Sequence, residues 1–151
     1  MAETKPFYNV GVVRNARAEV LIVRRQNEDH AGSPLHIVWT FPSGKKTNGH
    51  TLPEIEQRQP ETERAQNVEA GILAETGYRI KADRQISLRV HPDFGEVTSY
   101  HLCHLEEEQQ VSAFVQPERI LEIKWVQPEE LKNYFTTNFD TNIQRELGLI
   151  V

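Results

Sequence analysis

Residues 61–78 read ETERAQNVEAGILAETGY and form the most regular segment of this 151-residue chain. Ala65, Val68 and Ile72 recur at the spacing of one helix face, and Gly77 stands where a helix commonly ends. Most of the other positions in the segment are polar or small. The pattern predicts one amphipathic helix that packs its apolar side on the rest of the domain.

Runs rich in β-branched and aromatic residues lie on both sides of this helix and predict strands. Before it, residues 8–14 and 19–25 read as a hairpin closed at 15–18, and residues 36–41 read as a third extended run. After it, strands are predicted at 78–90, 97–105 and 120–126, and short helices from Pro128 and over 141–147. With neither a repeat nor a linker in the sequence, this order predicts a single mixed α/β domain over residues 1–151.

Residues 45–60 separate the third extended run from the helix. They include Gly49, Pro53 and Pro60 and few large apolar side chains, so a long loop is predicted there. Loops of this length are usually functional or mobile, and the sequence leaves its role open.

The charge balance limits the classes of partner. The chain has 17 basic and 22 acidic residues, a net charge of −5, and its Lys and Arg residues are scattered. A protein that binds bulk nucleic acid normally presents a basic face, so that class is disfavoured. A small anionic ligand remains compatible with the sequence, because net charge does not decide the chemistry of a local site.

The cysteine count and the apolar runs bear on the compartment. One cysteine cannot form an internal disulfide, which agrees with a reducing environment. The aliphatic runs are too short to span a bilayer, and the first residues lack the apolar core of a signal peptide. We therefore expect a soluble, cytoplasmic protein without a membrane partner.

His101, Cys103 and His104 are the one cluster of His and Cys residues. On a strand the first two share a face and the third points away, so the three cannot bind one metal ion together. We interpret the cluster as an ordinary strand with buried and exposed positions.

The order Trp-Thr-Phe-Pro-Ser-Gly at 39–44, a loop, and a helix closed by Glu-Thr-Gly-Tyr at 75–78 resembles the Nudix family. That family's signature is Gly, five residues, Glu, seven residues, then Arg-Glu-hydrophobic-any-Glu-Glu-any-Gly-hydrophobic. The hairpin at 10–25 and the strand that enters a helix at 125–131 are also similar to the family, so the resemblance covers nearly the whole chain. It implies the Nudix fold, an α/β/α sandwich with a mixed β-sheet.

The resemblance also shows what the signature helix lacks. Glu75 matches the last Glu of the signature, but Ala70 replaces its Arg, and Gly71 and Ala74 replace the other two Glu residues. Members of the family cleave a pyrophosphate linked to a nucleoside or another group, using Mg²⁺ or Mn²⁺ held by carboxylates that converge from one helix face. Ser43 stands where the family usually has the first Gly of Pro-Gly-Gly. The box is degenerate.

The resemblance implies candidate site residues outside as well as inside the helix. Glu75 is assigned to catalysis and, with Gly44, to metal binding. Carboxylates elsewhere are candidates for catalysis: Glu122 lies just before Trp125, and Glu118 lies in the preceding loop, although exposed surface acids are the simpler interpretation of both. The remaining candidates would contact substrate: Arg24 and Arg25, one of which faces a phosphate, and Phe41, Ser43 and Gly44.

Two functions follow from this pattern. The first is a pyrophosphohydrolase of a nucleoside-diphosphate-linked substrate, with Mg²⁺ or Mn²⁺ and with weak or atypical catalysis. The second is a non-hydrolysing Nudix domain, without a cofactor, that binds a nucleotide-like ligand or a protein partner. Many relatives are dimers, so a homodimer stays an open alternative.

Overall fold

The computed structural model describes residues 4–26, 37–44, 47–51, 61–90, 97–111, 120–135 and 141–150. Its strands are β1 (Thr4–Arg14), β2 (Val20–Gln26), β3 (Ile37–Thr40), β4 (Thr47–Thr51), β5 (Ile80–Val90), β6 (Val97–Leu105) and β7 (Ile120–Val126). Its helices are α1 (Glu61–Thr76), a 3₁₀ helix (Pro128–Asn133) and α2 (Thr141–Glu146). No helix in these ranges is both long and apolar enough to cross a membrane.

The seven strands form one mixed sheet. Its main order is β3-β2-β1-β6-β5, with β4 paired to β1 and β7 paired to β2. β1 and β6 run parallel from Phe7 opposite Val97 to Arg14 opposite His104, whereas the other pairs of strands are antiparallel. The predicted mixed α/β fold is therefore confirmed.

Two separate apolar layers show that both faces of the sheet are covered. Successive strand residues point to opposite faces, so Val13 and Leu21 lie on the α1 side while Val12 and Ile22 lie on the other. The layer under α1 consists of Val13, Leu21, Val68, Ile72, Ile80 and Cys103. The opposite layer joins the sheet to the 3₁₀ helix and α2 through Val10, Val12, Val20, Ile22, Phe41, Tyr100, Val126, Leu131, Ile143 and Leu147. This is the predicted α/β/α sandwich.

The end of α1 follows the prediction. Gly77 adopts a φ of 77°, a left-handed conformation that favours glycine, and its N–H donates to the carbonyl of Leu73 at 2.9 Å. Gln110 and Val111 then donate to the carbonyls of Thr76 and Gly77. The last turn of α1 is thus held by backbone and side-chain donors.

The loop predicted over 45–60 was wrong at 47–51, where the structure has strand β4. Thr4 lies opposite Thr51 and Lys5 opposite His50, so β4 is held to β1 through backbone pairing. Its sequence, TNGHT, has no apolar alternation, which is the pattern that predicts a half-buried strand. Residues 45–46 and 52–60 lie outside the described part of the chain.

Candidate functional site

Helix α1 approaches the sheet closely through glycines. A Cβ built on Gly71 would overlap the Cα of Gly44 and lie 2.6 Å from the carbonyl oxygen of Ser43. A Cβ on Gly11 of β1 would overlap the side chain of Ile72. A glycine inside a helix costs about 1 kcal/mol relative to alanine. The close contact between α1 and the 43–44 segment explains why that cost is tolerated at Gly71.

The 43–44 segment is fixed to β1 as well as to α1. The N–H of Gly44 donates to the carbonyl of Asn9 at 2.8 Å, and the N–H of Gly11 donates to the carbonyl of Pro42 at 2.9 Å. The buried side chain of Asn9 in turn donates from Nδ2 to Oδ1 of Asn67 on α1 at 3.0 Å. Strand, segment and helix are thus tied together beside Gly71.

The carboxylate of Glu75 is bound on both oxygens. Arg25 of β2 donates from Nη1 to Oε2 at 2.6 Å and from Nη2 to Oε1 at 3.0 Å, and the backbone N–H of Ser43 donates to Oε1 at 2.9 Å. Arg25 also donates to the hydroxyls of Ser43 and Thr40, each at 3.3 Å. The two side chains are only 18% and 13% exposed. We call this arrangement of Arg25, Glu75 and Ser43 the latch.

The opposite face of the sheet presents aromatic rings and cations. Ring centroids lie 5.3 Å apart for Trp39 and Tyr134, 4.8 Å for Phe41 and Phe135, and 6.4 Å for Phe41 and Tyr100. We call these five rings the aromatic face. A cation packs on a ring at two places: Lys124 on Tyr134 at 5.0 Å, and Arg89 on Tyr100 at 5.6 Å.

The sequence patterns did not single out Lys124, which contacts the ring of Tyr134. Its hydrogen bond and charge interaction with Tyr134, with smaller contributions from Glu122 and Glu130, raise the pKa of its ammonium group. The group therefore stays charged beside the ring. The one sequence signal is that Lys124 alternates with Trp125 on β7, so that one of the two had to face each side of the sheet.

The structure divides the predicted site residues between these two faces. Arg25, Glu75, Ser43 and Gly44 come together at α1. Arg24 is exposed on β2 and lies in register with Trp39 of β3 and with the exposed Glu122 of β7. Cross-strand partners share a face, and Trp39 packs against the layer opposite α1. Glu122 therefore lies across the sheet from Glu75 and does not join it.

The other residues that the sequence singled out are Phe41, Glu118 and the cluster of His101, Cys103 and His104. Phe41 is 5% exposed and packs inside the layer opposite α1. Glu118 lies outside the described part of the chain. His101 and Cys103 are buried while His104 is exposed and pairs with Asp83, which agrees with the predicted orientation on the strand.

Known proteins resemble this chain in structure and not in sequence. No protein-family model and no curated protein sequence matches it. A NUDIX hydrolase from Nitrosomonas europaea superimposes with a TM-score of 0.63 at 16% identity, covering 98% of this chain and 73% of that one. An ADP-ribose pyrophosphatase from Streptococcus suis gives 0.58 at 15% identity over 96% and 90%. A MutT protein from Methanosarcina mazei gives 0.57 at 14% identity over 95% and 90%.

The chain has the Nudix fold. The resemblance seen in the sequence places the Nudix signature on helix α1, with the 43–44 segment at its Pro-Gly-Gly position. The superposition at this level of identity establishes the architecture, so the chemistry has to be judged from the residues that this chain places there.

The residues at the signature helix do not fit Mg²⁺ or Mn²⁺. Hard divalent cations take several oxygen ligands, but within the described ranges no group of three or more His, Cys, Asp or Glu residues is placed to hold a metal. The space that a carboxylate at position 71 would need is filled by the backbone of Ser43 and Gly44. The remaining carboxylate, Glu75, already holds the guanidinium of Arg25, which would repel a second cation.

Proposed function

We propose that this chain is a Nudix-family protein that binds a nucleotide-like ligand and does not cleave it by the metal-dependent route. The observation that carries the proposal is the latch: both oxygens of Glu75 accept hydrogen bonds from Arg25 or Ser43. A carboxylate engaged in this way acts as a structural anchor between α1 and the 43–44 segment.

The charge and burial of the latch support this function. Binding a cation of charge +2 at Glu75 would require Arg25 to leave, and Arg25 would then be a partly buried guanidinium without its carboxylate. Separating such a pair costs roughly 3–5 kcal/mol when it is buried, and less in proportion to its exposure. Among the described residues, no group of three His, Cys, Asp or Glu side chains is placed to hold the ion and offset that loss.

The opposite face supports the binding half of the proposal. The guanidinium of Arg24 has no carboxylate partner among the described residues and is exposed between Trp39 and Glu122. Lys124 adds a second cation beside Tyr134. Trp39 and Tyr134 are partly exposed, whereas Phe41 and Tyr100 are buried beneath them. Partly exposed rings beside cations suit a ligand that combines an aromatic base with phosphate groups. The ligand class follows from that chemistry, and we include neither nucleic acid nor a membrane among the partners.

The test is a binding and turnover panel of ADP-ribose, nucleotide sugars, dinucleoside polyphosphates and nucleoside triphosphates. Calorimetry in EDTA and in Mg²⁺ or Mn²⁺ is expected to give affinities that agree within about twofold, and chromatography to find no product. Arg24→Gln is expected to weaken binding about tenfold, because a charge-assisted hydrogen bond is worth about 1.5–3 kcal/mol. Arg17→Gln, at an exposed turn position, is the matched charge control.

The second candidate is a weak pyrophosphohydrolase. Glu75 keeps its position in the signature, and Glu122 is an exposed carboxylate beside Arg24, which is the observation that favours it. The same panel separates the two functions. Turnover that requires Mg²⁺ or Mn²⁺ and is abolished by Glu75→Gln would establish hydrolysis and reject the binding-only function.

A further inference from the structure

Several arginines on or near the sheet pair with a carboxylate, and Arg89 differs from them. Arg25 pairs with Glu75, Arg84 with Glu146, and Arg79 with Glu107. Arg89 has no carboxylate partner in the described part of the chain, and its Nε is a buried donor without an acceptor. Its one side-chain hydrogen bond, from Nη2 to the hydroxyl of Tyr100, is long at 3.4 Å.

The backbone places Arg89 on the aromatic face. In the sheet Arg89 lies opposite Thr98 of β6, and Thr98 lies opposite Tyr8 of β1, so the three residues form one row across three strands. Tyr8 and Tyr100 both pack with the layer opposite α1. Arg89 therefore belongs to the face that carries Arg24 and Lys124, and not to the face of the latch.

Arg89 contacts Tyr100 both at the ring and at the hydroxyl. Its guanidinium carbon lies 5.6 Å from the ring centroid, and Nη2 donates to the hydroxyl at 3.4 Å. The group also keeps its charge, because arginine is not deprotonated in proteins. The buried, unsatisfied Nε lowers the stability of the free protein. The side chain as a whole is partly exposed, so an anionic oxygen that reaches the rest of the guanidinium would offset a charge that no described carboxylate neutralises.

We propose that Arg89 is a ligand-binding residue that takes an anionic oxygen, from a phosphate or a carboxylate, of the ligand on the aromatic face. The inference deepens the proposed function and rests on it for the identity of the ligand as nucleotide-like. It adds a recognition residue on β5, three strands away from Arg24 of β2 in the order β2-β1-β6-β5.

The experiment compares Arg89→Met and Arg89→Lys with the unchanged protein in EDTA. The probes are inorganic pyrophosphate, AMP and adenosine. Benzoate is added because it carries a carboxylate on an aromatic ring in place of a phosphate. Arg89→Met keeps much of the side-chain length and removes the charge, and it is expected to weaken binding of pyrophosphate or AMP at least about tenfold. Arg89→Lys is expected to retain part of the affinity, because it restores a charge without the planar fork.

Thermal unfolding without ligand separates recognition from a structural role. The melting temperature of Arg89→Met is expected to equal or exceed that of the unchanged protein, since the substitution removes an unsatisfied buried donor. The matched control is Arg79→Met on an exposed arginine, which is expected to leave every affinity unchanged. Stronger binding of benzoate than of AMP would identify the anionic group as a carboxylate.

Three results would overturn the assignment. The first is a lower melting temperature of Arg89→Met with ligand affinity kept within about twofold, which marks a structural residue. The second is equal binding of adenosine and AMP, and the third is no binding of any probe to the unchanged protein at millimolar concentration. Metal-dependent turnover in the panel above would reject the binding-only function and still leave the effect of Arg89 on affinity measurable.

Discussion

The two faces of the sheet use their charged side chains in different ways. On the face covered by α1, Arg25 and the backbone N–H of Ser43 both donate to the carboxylate of Glu75. Glycines allow the helix and the 43–44 segment to pack in direct contact. On the opposite face, Arg24 and Arg89 form no salt bridge among the described residues. Arg24 lies opposite Trp39 in the sheet, and Arg89 contacts the ring of Tyr100. Under the proposed function, the first face is a structural anchor and the second carries the groups that contact the ligand.

This difference indicates how a Nudix fold can lose one property and keep another. The metal site of the signature needs several carboxylates to converge, so the proposal attributes its loss to the two replacements and to the pairing of Glu75 with Arg25. A ligand surface made of rings and cations depends on no single convergent point. Substitutions on the α1 face test whether it is packed too tightly to hold a metal ligand.

The largest effect is expected from restoring a signature carboxylate at position 71. Gly71→Glu would drive a side chain into the backbone of Ser43 and Gly44, and such overpacking costs about 3 kcal/mol of unfolding free energy. Urea denaturation measures it. Ala70→Glu places the same residue at the neighbouring exposed position and is expected to change stability by less than about 0.5 kcal/mol. Equal midpoints for the two variants would show that the α1 face has room for a metal ligand.

A smaller effect is expected from breaking the latch. Glu75→Gln leaves Arg25 partly buried without its counter-charge and is expected to cost about 2 kcal/mol, less than a fully buried pair because both side chains keep some exposure. Glu107→Gln, in an exposed pair with Arg79, is the control and is expected to cost less than about 0.5 kcal/mol.

A double-mutant cycle sharpens this result. Adding Arg25→Met to Glu75→Gln is expected to recover part of the lost stability, because the unpaired charge is removed. Additive losses from the two substitutions would mean that the two side chains act independently, contrary to the latch.

The smallest effect concerns Cys103, which lies in the layer under α1. Burial raises the pKa of its thiol well above the ordinary range, so the thiol stays protonated in the folded chain while the unfolded chain ionises from about pH 8.5. Stability is therefore fully present below that pH and falls as the pH rises. Between pH 7 and 9 the free energy of unfolding is expected to fall by about 0.5–1 kcal/mol more for the unchanged protein than for Cys103→Ala. If the unfolding free energies of the two proteins fell in parallel with pH, the thiol of Cys103 would be accessible to solvent.

Much of the fold could be predicted from local patterns. The helix follows from its apolar periodicity, and its end follows from Gly77, because a glycine readily takes the positive φ that the structure shows there. The strands on either side follow from their β-branched residues. Strand β4 could not be predicted, because TNGHT is held by backbone pairing to β1 and carries no apolar alternation. The absence of two signature carboxylates was also visible in the sequence.

The site required the tertiary structure. Arg25 and Glu75 are 50 residues apart, and the packing of α1 on the sheet brings them together. In the sequence Gly71 reads as a helix defect, whereas the structure shows it as the point where α1 meets Gly44. In the sequence Arg89 is one polar residue of a predicted strand. Only the structure shows that its buried Nε has no hydrogen-bond acceptor.

A crystal structure of the protein soaked in millimolar Mn²⁺, with anomalous scattering recorded, tests the central claim directly. The latch predicts no manganese peak within coordination distance of Glu75, and Arg25 still bonded to both carboxylate oxygens. A peak at about 2.2 Å from Glu75 and the carbonyl of Gly44, with Arg25 displaced, would show a working metal site and contradict the account.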